Sequence, residues 1–235
     1  MIIIRSIIFN LGMWIFTIPF TLFSLLTFPL KPQQRYQFIS NWAKLMLRWL
    51  KICCHIDYEL IGIENIPKKP CVVFCNHQSA WETLALQQIL PPQVWVLKRE
   101  LLWLPFFGWG LALTSPIAID RSSGKKALLQ MHKQGVDRIK KGFFIIIFPE
   151  GTRVKINDNK KYHIGGAWLA KNLRSNILPI SHNAGFFWGR NSFLKYPGKI
   201  TIKIGKPFNI KNMGIEEINQ EIKQWIDENV KKISE

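Results

Sequence analysis

No charged residue occurs between Arg5 and Lys31, and the run from Ile7 to Leu30 is dominated by Ile, Leu, Phe, Trp and Thr. About 20 apolar residues suffice for a helix to cross a bilayer core, so this run is long enough. Pro19 and Pro29, with the polar Asn10, Thr17 and Thr21, fit either a spanning helix or one half-sunk in a single leaflet. A cleaved signal peptide fits poorly, because Thr27, Phe28, Pro29 and Leu30 follow Leu26 where a small-x-small cleavage site is needed. The pattern then turns amphipathic from Arg35 to Ile52. Lys44, Arg48 and Lys51 share one helical face, and Trp42, Leu45, Met46, Trp49 and Leu50 occupy the others. Such a helix suits a membrane interface, or it packs as an ordinary amphipathic helix on the rest of the domain. Lys31, Arg35, Lys44, Arg48 and Lys51 all follow the apolar run, which predicts the cytoplasmic side for everything downstream. Residues 1–55 are thus expected to be a membrane-anchoring helical pair, and residues 56–235 a separate domain that, cut free near Asp57, clings to membranes by charge alone and comes off in salt.

From Pro70 onward strand-like and helix-like stretches alternate. Strands are predicted at Cys71–Cys75, Val94–Leu97, Ile117–Ile119, Phe143–Phe148, Ile177–Ile180 and Lys199–Ile204, and helices around Glu82–Leu90, Lys125–Lys140, Ala167–Leu173 and Glu216–Lys232. This alternation predicts an α/β fold, layers of helix around a mostly buried sheet. A continuous apolar run such as Phe143 to Phe148 suits a strand covered on both faces.

Charge narrows the partners. Lys and Arg number 32 against 15 Asp and Glu, so the surface attracts anions. The basic residues are interspersed with Trp and Phe, and no zinc-finger, RNP or basic-zipper signature occurs, which favours membrane lipid headgroups over nucleic acid. Cys53 and Cys54 are adjacent, and Cys71 and Cys75 flank one strand, too far apart to bridge. No ligand spacing suggests zinc or another metal. Four buried thiols in a reducing compartment are expected.

The chemistry gathers at strand ends. Cys71–Cys75 runs directly into Asn76-His77-Gln78-Ser79-Ala80-Trp81-Glu82, which puts a histidine where open α/β sheets bind ligands. His77 and Glu82, five apart, do not share a face of a regular helix, but they meet if His77 lies in the turn and Glu82 in the first helical turn. Ser79-x-x-Glu82 also reads as a capping box, so spacing alone leaves two roles open for Glu82: helix cap or partner of the imidazole. As a partner it would fix the ring tautomer and let the other nitrogen take a proton from a hydroxyl. The nucleophile-elbow pattern G-x-S-x-G is absent, which points to direct attack by a substrate hydroxyl. Phe148-Pro149-Glu150-Gly151-Thr152-Arg153 follows another buried strand, where Arg153 offers either a planar fork for phosphate or an ordinary surface turn. Lys98 and Arg121 each place a cation just after a strand, and with Arg153 they suggest an anion pocket.

Asn76-His77-Gln78-Ser79 with an acid at 82, Ile119-Asp120-Arg121, Phe148 to Arg153, and Ile177-Leu178-Pro179-Ile180 resemble, in order, the four motif blocks of the 1-acylglycerol-3-phosphate acyltransferase family, over about residues 60 to 205. The resemblance implies a layered sheet-and-helix glycerolipid acyltransferase domain behind the N-terminal helical pair. It implies that His77 is the general base and Glu82 its partner. It implies further that Arg121 and Glu150-Gly151-Thr152-Arg153 hold the glycerol phosphate, with Pro179 near the acyl site. The reaction implied moves an acyl group from acyl carrier protein or coenzyme A to the sn-2 hydroxyl of lysophosphatidate, with no metal or cofactor. Family members most commonly carry Asp where Glu82 stands, so a slightly different turn geometry is expected here. Two rivals are an acyltransferase for another lysolipid or glycerol 3-phosphate, and a non-enzymatic protein that binds acidic lipid or nucleic acid.

Overall fold

Val72 and Phe74 face one side of the sheet and Val73 and Cys75 the other, and Ile145 and Ile147 alternate in the same way with Phe144 and Ile146. A sheet apolar on both faces needs cover on both. In the computed structural model of the chain, which describes residues 1–235 apart from Asn157, Asn159 and the Arg121 side chain, that cover makes three layers. The strands are β1 (Ile56–Ile61), β2 (Val72–Cys75), β3 (Gln93–Lys98), β4 (Ile117–Ile119), β5 (Phe144–Ile147), β6 (Ile177–His182) and β7 (Gly198–Ile204). The helices are α1 (Ile2–Leu25), α2 (Pro32–Cys54), α3 (Trp81–Ile89), α4 (Phe107–Leu113), α5 (Lys125–Lys140), α6 (Gly165–Asn172) and α7 (Ile215–Lys232). Residues of α1, α2 and α3 pack with one face of the sheet, and those of α5, α6 and α7 with the other.

The sheet order is β1-β7-β6-β2-β5-β3-β4, with every pair parallel except β6 and β7. The carboxyl ends of β2 to β6 therefore emerge along one edge. All six predicted strands are present. Sequence reading missed β1, an edge strand half-exposed along most of its length, and α4, a seven-residue helix holding two glycines. The four cysteines are buried free thiols.

The helical pair is apolar on the outside. The side of α1 turned inward carries Ser6, Phe9, Gly12, Thr17, Thr21 and Ser24, while Ile3, Ile4, Ile7, Ile8, Leu11, Trp14 and Ile15 are exposed. A side chain at Gly12 would collide with the Trp49 ring, so glycine lets the two helices approach closely. The inward hydroxyls are satisfied locally: Ser24 donates to Phe20 O at 2.7 Å, and Trp42 Nε1 donates to Thr17 Oγ1 at 3.1 Å. In water the polar and apolar sides of such a helix would be reversed. By length and composition α1 can cross a membrane.

Of the two roles open for α2, packing on the domain is the one observed. Ala43, Met46, Leu47 and Leu50 are buried in one core with Trp81, Leu84 and Leu86 of α3 and with Val73, Ile146 and Ile180 of the sheet. Phe9 of α1 joins them. Arg35 ties α2 to the end of α4, donating through Nε to Leu113 O at 2.6 Å and through a terminal nitrogen to Ser115 Oγ at 3.1 Å.

Candidate active site

The turn after β2 is built around one carboxylate. Ser79 Oγ accepts from the Trp81 amide at 3.0 Å and the Ser79 amide donates to Glu82 Oε1 at 3.0 Å, a reciprocal cap on the first turn of α3. The same Oε1 accepts from the Gln78 amide at 3.1 Å and lies 2.7 Å from His77 Nδ1. Glu82 is thus cap and imidazole partner at once, because the cap folds the turn back and brings His77 over the carboxylate. Nδ1 facing a carboxylate carries the ring proton, which leaves the Nε2 lone pair free. Nε2 makes no hydrogen bond among the described residues. Burial by itself would raise the Glu82 carboxyl; the facing rings of His182 and His77 and the Ser79 amide outweigh it and hold the group below the usual carboxylate range.

A second loop clamps the histidine. The Gly151 amide donates to Phe148 O at 2.9 Å, closing a turn in which Gly151 has φ +70°, a conformation that costs glycine little. Phe148 lies flat on the His77 ring, centroids 4.0 Å apart and planes 13° from parallel. Glu150 Oε1 accepts from the His77 amide at 3.2 Å, and the Val154 amide donates to His77 O at 2.7 Å. Both backbone polar groups of His77 are therefore held by the loop after β5.

Glu150 lies beneath this turn. Its carboxyl is buried under His77, and burial pushes it up to about 7. The protonated form is then favoured in the folded chain. Its stabilising contribution is fully present below the ordinary value of 4.5 and is lost as pH rises toward about 7. A shift of that size corresponds to roughly 3 kcal/mol. Denaturation across this window is expected to show Glu150→Gln without the decline that the parent shows; parallel curves would mean that the carboxyl titrates normally.

The other expected residues distribute along the same edge. Arg153 is half-buried and its Nε is an enclosed donor with no hydrogen-bond partner among the described residues. Thr152 is exposed beside it. Lys98 ends β3 and is exposed. The backbone of Arg121 opens the turn after β4; its side chain lies outside the described residues. Pro179 stands apart from these. It lies buried inside β6, level with Phe74 rather than at the edge, where its missing N–H falls at a break in the β6–β7 pairing and its carbonyl accepts from the Gly205 amide at 2.9 Å. A groove of about 320 Å³ lined by Gln78, Val154, Lys155, Ile156, Gly185, Gly189 and Arg190 adjoins the turn that bears His77.

Sequence reading missed His182, which ends β6 on this edge and is buried with Nε2 3.8 Å from Glu82 Oε2. The available signal was its position: β6 runs two residues past Ile180, so a buried strand ends on a histidine level with the Asn76-His77 turn.

The Acyltransferase family model matches residues 57–183. The 1-acyl-sn-glycerol-3-phosphate acyltransferase of Pseudomonas aeruginosa is 43% identical, covering 98% of this chain and 92% of its own length. The yeast protein of that name, from Saccharomyces cerevisiae, is 28% identical over 85% of this chain and 68% of its own. A crystal structure of the 1-acyl-sn-glycerophosphate acyltransferase of Thermotoga maritima aligns with a TM-score of 0.78 over 98% of this chain and 96% of that one; at 20% identity this is a likeness of fold.

Proposed function

We propose that this chain, which belongs to the Acyltransferase family, transfers a fatty acyl group from a thioester to the sn-2 hydroxyl of 1-acylglycerol 3-phosphate, forming phosphatidate. The observation that carries the reading is the 2.7 Å contact of His77 Nδ1 with Glu82, which leaves Nε2 free to accept a proton. The names borne by the relatives support the acceptor. In the reaction, Nε2 takes the proton of the acceptor hydroxyl as the oxygen attacks the thioester carbonyl. Glu82 stabilises the resulting imidazolium. The tetrahedral intermediate collapses by breaking the C–S bond, and the imidazolium returns its proton to the departing thiolate. Acyl carrier protein and coenzyme A are the donor candidates. We assign Arg153 to the acceptor's phosphate, with Lys98 and Arg121 as outer cations of the same site and Thr152 at its rim. Glu150, Gly151 and Phe148 shape the loop that holds His77.

The outward face of α1, continued by exposed Trp103, Leu104, Phe107 and Trp109, supports a seat on the membrane from which a lysolipid reaches the site. A cytoplasmic orientation follows from the cations after α1. The test is acyl transfer by purified protein to lysophosphatidate, other lysolipids and glycerol 3-phosphate, each with both donors. Absence of phosphatidate in every combination overturns the reading.

Arg153→Lys keeps the charge but loses the planar fork. Loss of one charge-assisted hydrogen bond, about 1.5–3 kcal/mol, is expected to raise the KM for the acceptor about tenfold or more and leave that for the donor unchanged. An unaltered acceptor KM would move the phosphate site elsewhere.

A further inference from the structure

Glu82 directs one carboxyl oxygen to His77, Gln78 and Ser79, and its other oxygen, Oε2, is buried with no hydrogen-bond partner among the described residues. An orphaned buried acceptor costs about 1–3 kcal/mol, so what faces it matters. Oε2 faces His182 Nε2 at 3.8 Å. Both nitrogens of that ring are engaged by backbone: Nε2 lies 2.9 Å from Asn76 O, and Nδ1 accepts from the Ala184 amide at 3.2 Å. The proton is thereby assigned to Nε2, on the side of Glu82. Burial disfavours the charged ring, which keeps His182 neutral and unable to compete for the substrate's proton. Asn76 completes the connection, donating through Nδ2 to His182 O at 2.9 Å and accepting at Oδ1 from the His182 amide at 3.0 Å. Three hydrogen bonds thus join His182 to the residue immediately before His77.

We propose that His182 is a positioning residue for acyl transfer: its Nε2–H orients the free oxygen of Glu82 and, through Asn76, the turn on which His77 stands. The inference rests on the acyl-transfer reading above. At 3.8 Å the N–H does not make a full hydrogen bond to Oε2, but in a buried site its dipole acts on the carboxylate with little screening. When His77 becomes imidazolium, the dipole keeps Glu82 aimed at it through Oε1. Among the described residues the groups facing Glu82 are the His77 and His182 rings, the Cys75 thiol and the Glu150 carboxyl. The His182 ring is one of the groups that favour the charged form of Glu82, so loss of the His182 donor lets Glu82 take up a proton at higher pH.

The test compares three substitutions with the parent. His182→Phe removes the donor, His182→Gln places an amide N–H near the position of Nε2, and His182→Asn places one near Nδ1 instead. With phosphatidate formation established for the parent, His182→Phe and His182→Asn are expected to lose kcat about tenfold or more, part of the ~10²–10⁴-fold that a general base contributes. Acceptor KM should stay unchanged, the acid limb of the kcat profile should move to higher pH, and His182→Gln should recover most of the loss. The downfield proton resonance of the His77 Nδ1–H bond, read without substrate, is expected to persist in the parent and His182→Gln and to weaken in the other two. That readout separates failure of this proposal from a mistaken acceptor. Parent-like kcat, acid limb and resonance in folded His182→Phe would overturn it. Equal losses in the Gln and Asn variants, or loss of fold in all three, would mark a purely structural role and overturn it as well.

Discussion

His77→Ala is expected to lower kcat by about 10²–10⁴-fold while the protein keeps its fold, because the acceptor hydroxyl then has no base. The fold should survive since the histidine ring adds little to the core. It stacks on Phe148 at the sheet edge, and the clamps on residue 77 are backbone bonds from Glu150 and Val154 that alanine also forms. Glu82→Gln should lose less. An amide oxygen can still accept from the Ser79 and Gln78 amides, but it no longer opposes the imidazolium charge. Weakening of the cap should show separately, as about 1 kcal/mol of stability. Thermal melting with single-turnover kinetics distinguishes the outcomes. Wild-type turnover in a folded His77→Ala protein would remove the mechanism, and unchanged turnover with a lower Tm in Glu82→Gln would reduce Glu82 to a cap.

A chain beginning at Asp57 is expected not to fold, which replaces the expectation of a soluble, salt-extractable remainder. Met46 and Leu50 are completely buried against α3 and the sheet, and Ala43 and Phe9 lie in the same core. Truncating one such Met or Leu typically costs about 2–5 kcal/mol. Losing several at once, together with the Arg35 bonds to Leu113 and Ser115, exceeds the about 5–15 kcal/mol that holds an ordinary domain together. Deleting α1 alone should be milder, since α2 still covers the sheet, and it should weaken membrane attachment instead. Molar salt shortens the Debye length to about 3 Å and so strips charge-held protein, but it should leave the full-length chain with the membrane. Cooperative unfolding of the Asp57 form would show that the helical pair is dispensable to the core, and full release of the intact chain by salt would show that α1 does not enter lipid.

Local pattern alone carried a good deal of this protein. Strands such as Val72–Cys75 and Phe144–Ile147 are read from runs of apolar residues, and α5 and α7 from their helical periodicity, because burial on both faces of a sheet or on one stripe of a helix leaves a periodic mark. His77 with Glu82, and Arg153 after Gly151, were legible for a related reason: they directly follow buried strands, where a parallel sheet gathers its strand ends. Placement across the chain was not legible. That β5 lies beside β2, so that Glu150 and Val154 take the two backbone groups of His77, is decided by strand order among segments some 70 residues apart. The family resemblance assigns Glu150 to the phosphate, and its contact with the His77 amide exists only because β2 is its neighbour. Spacing leaves Glu82 as cap or partner, and the turn makes it both. The partners of His182 are silent in the sequence for the same reason. Its role depends on Asn76, 106 residues away, and on a carboxylate oxygen that only the assembled sheet edge brings within 3.8 Å. Periodicity records which face of a segment is buried; it holds no record of which segment lies against that face, and the packing of the whole sheet decides that.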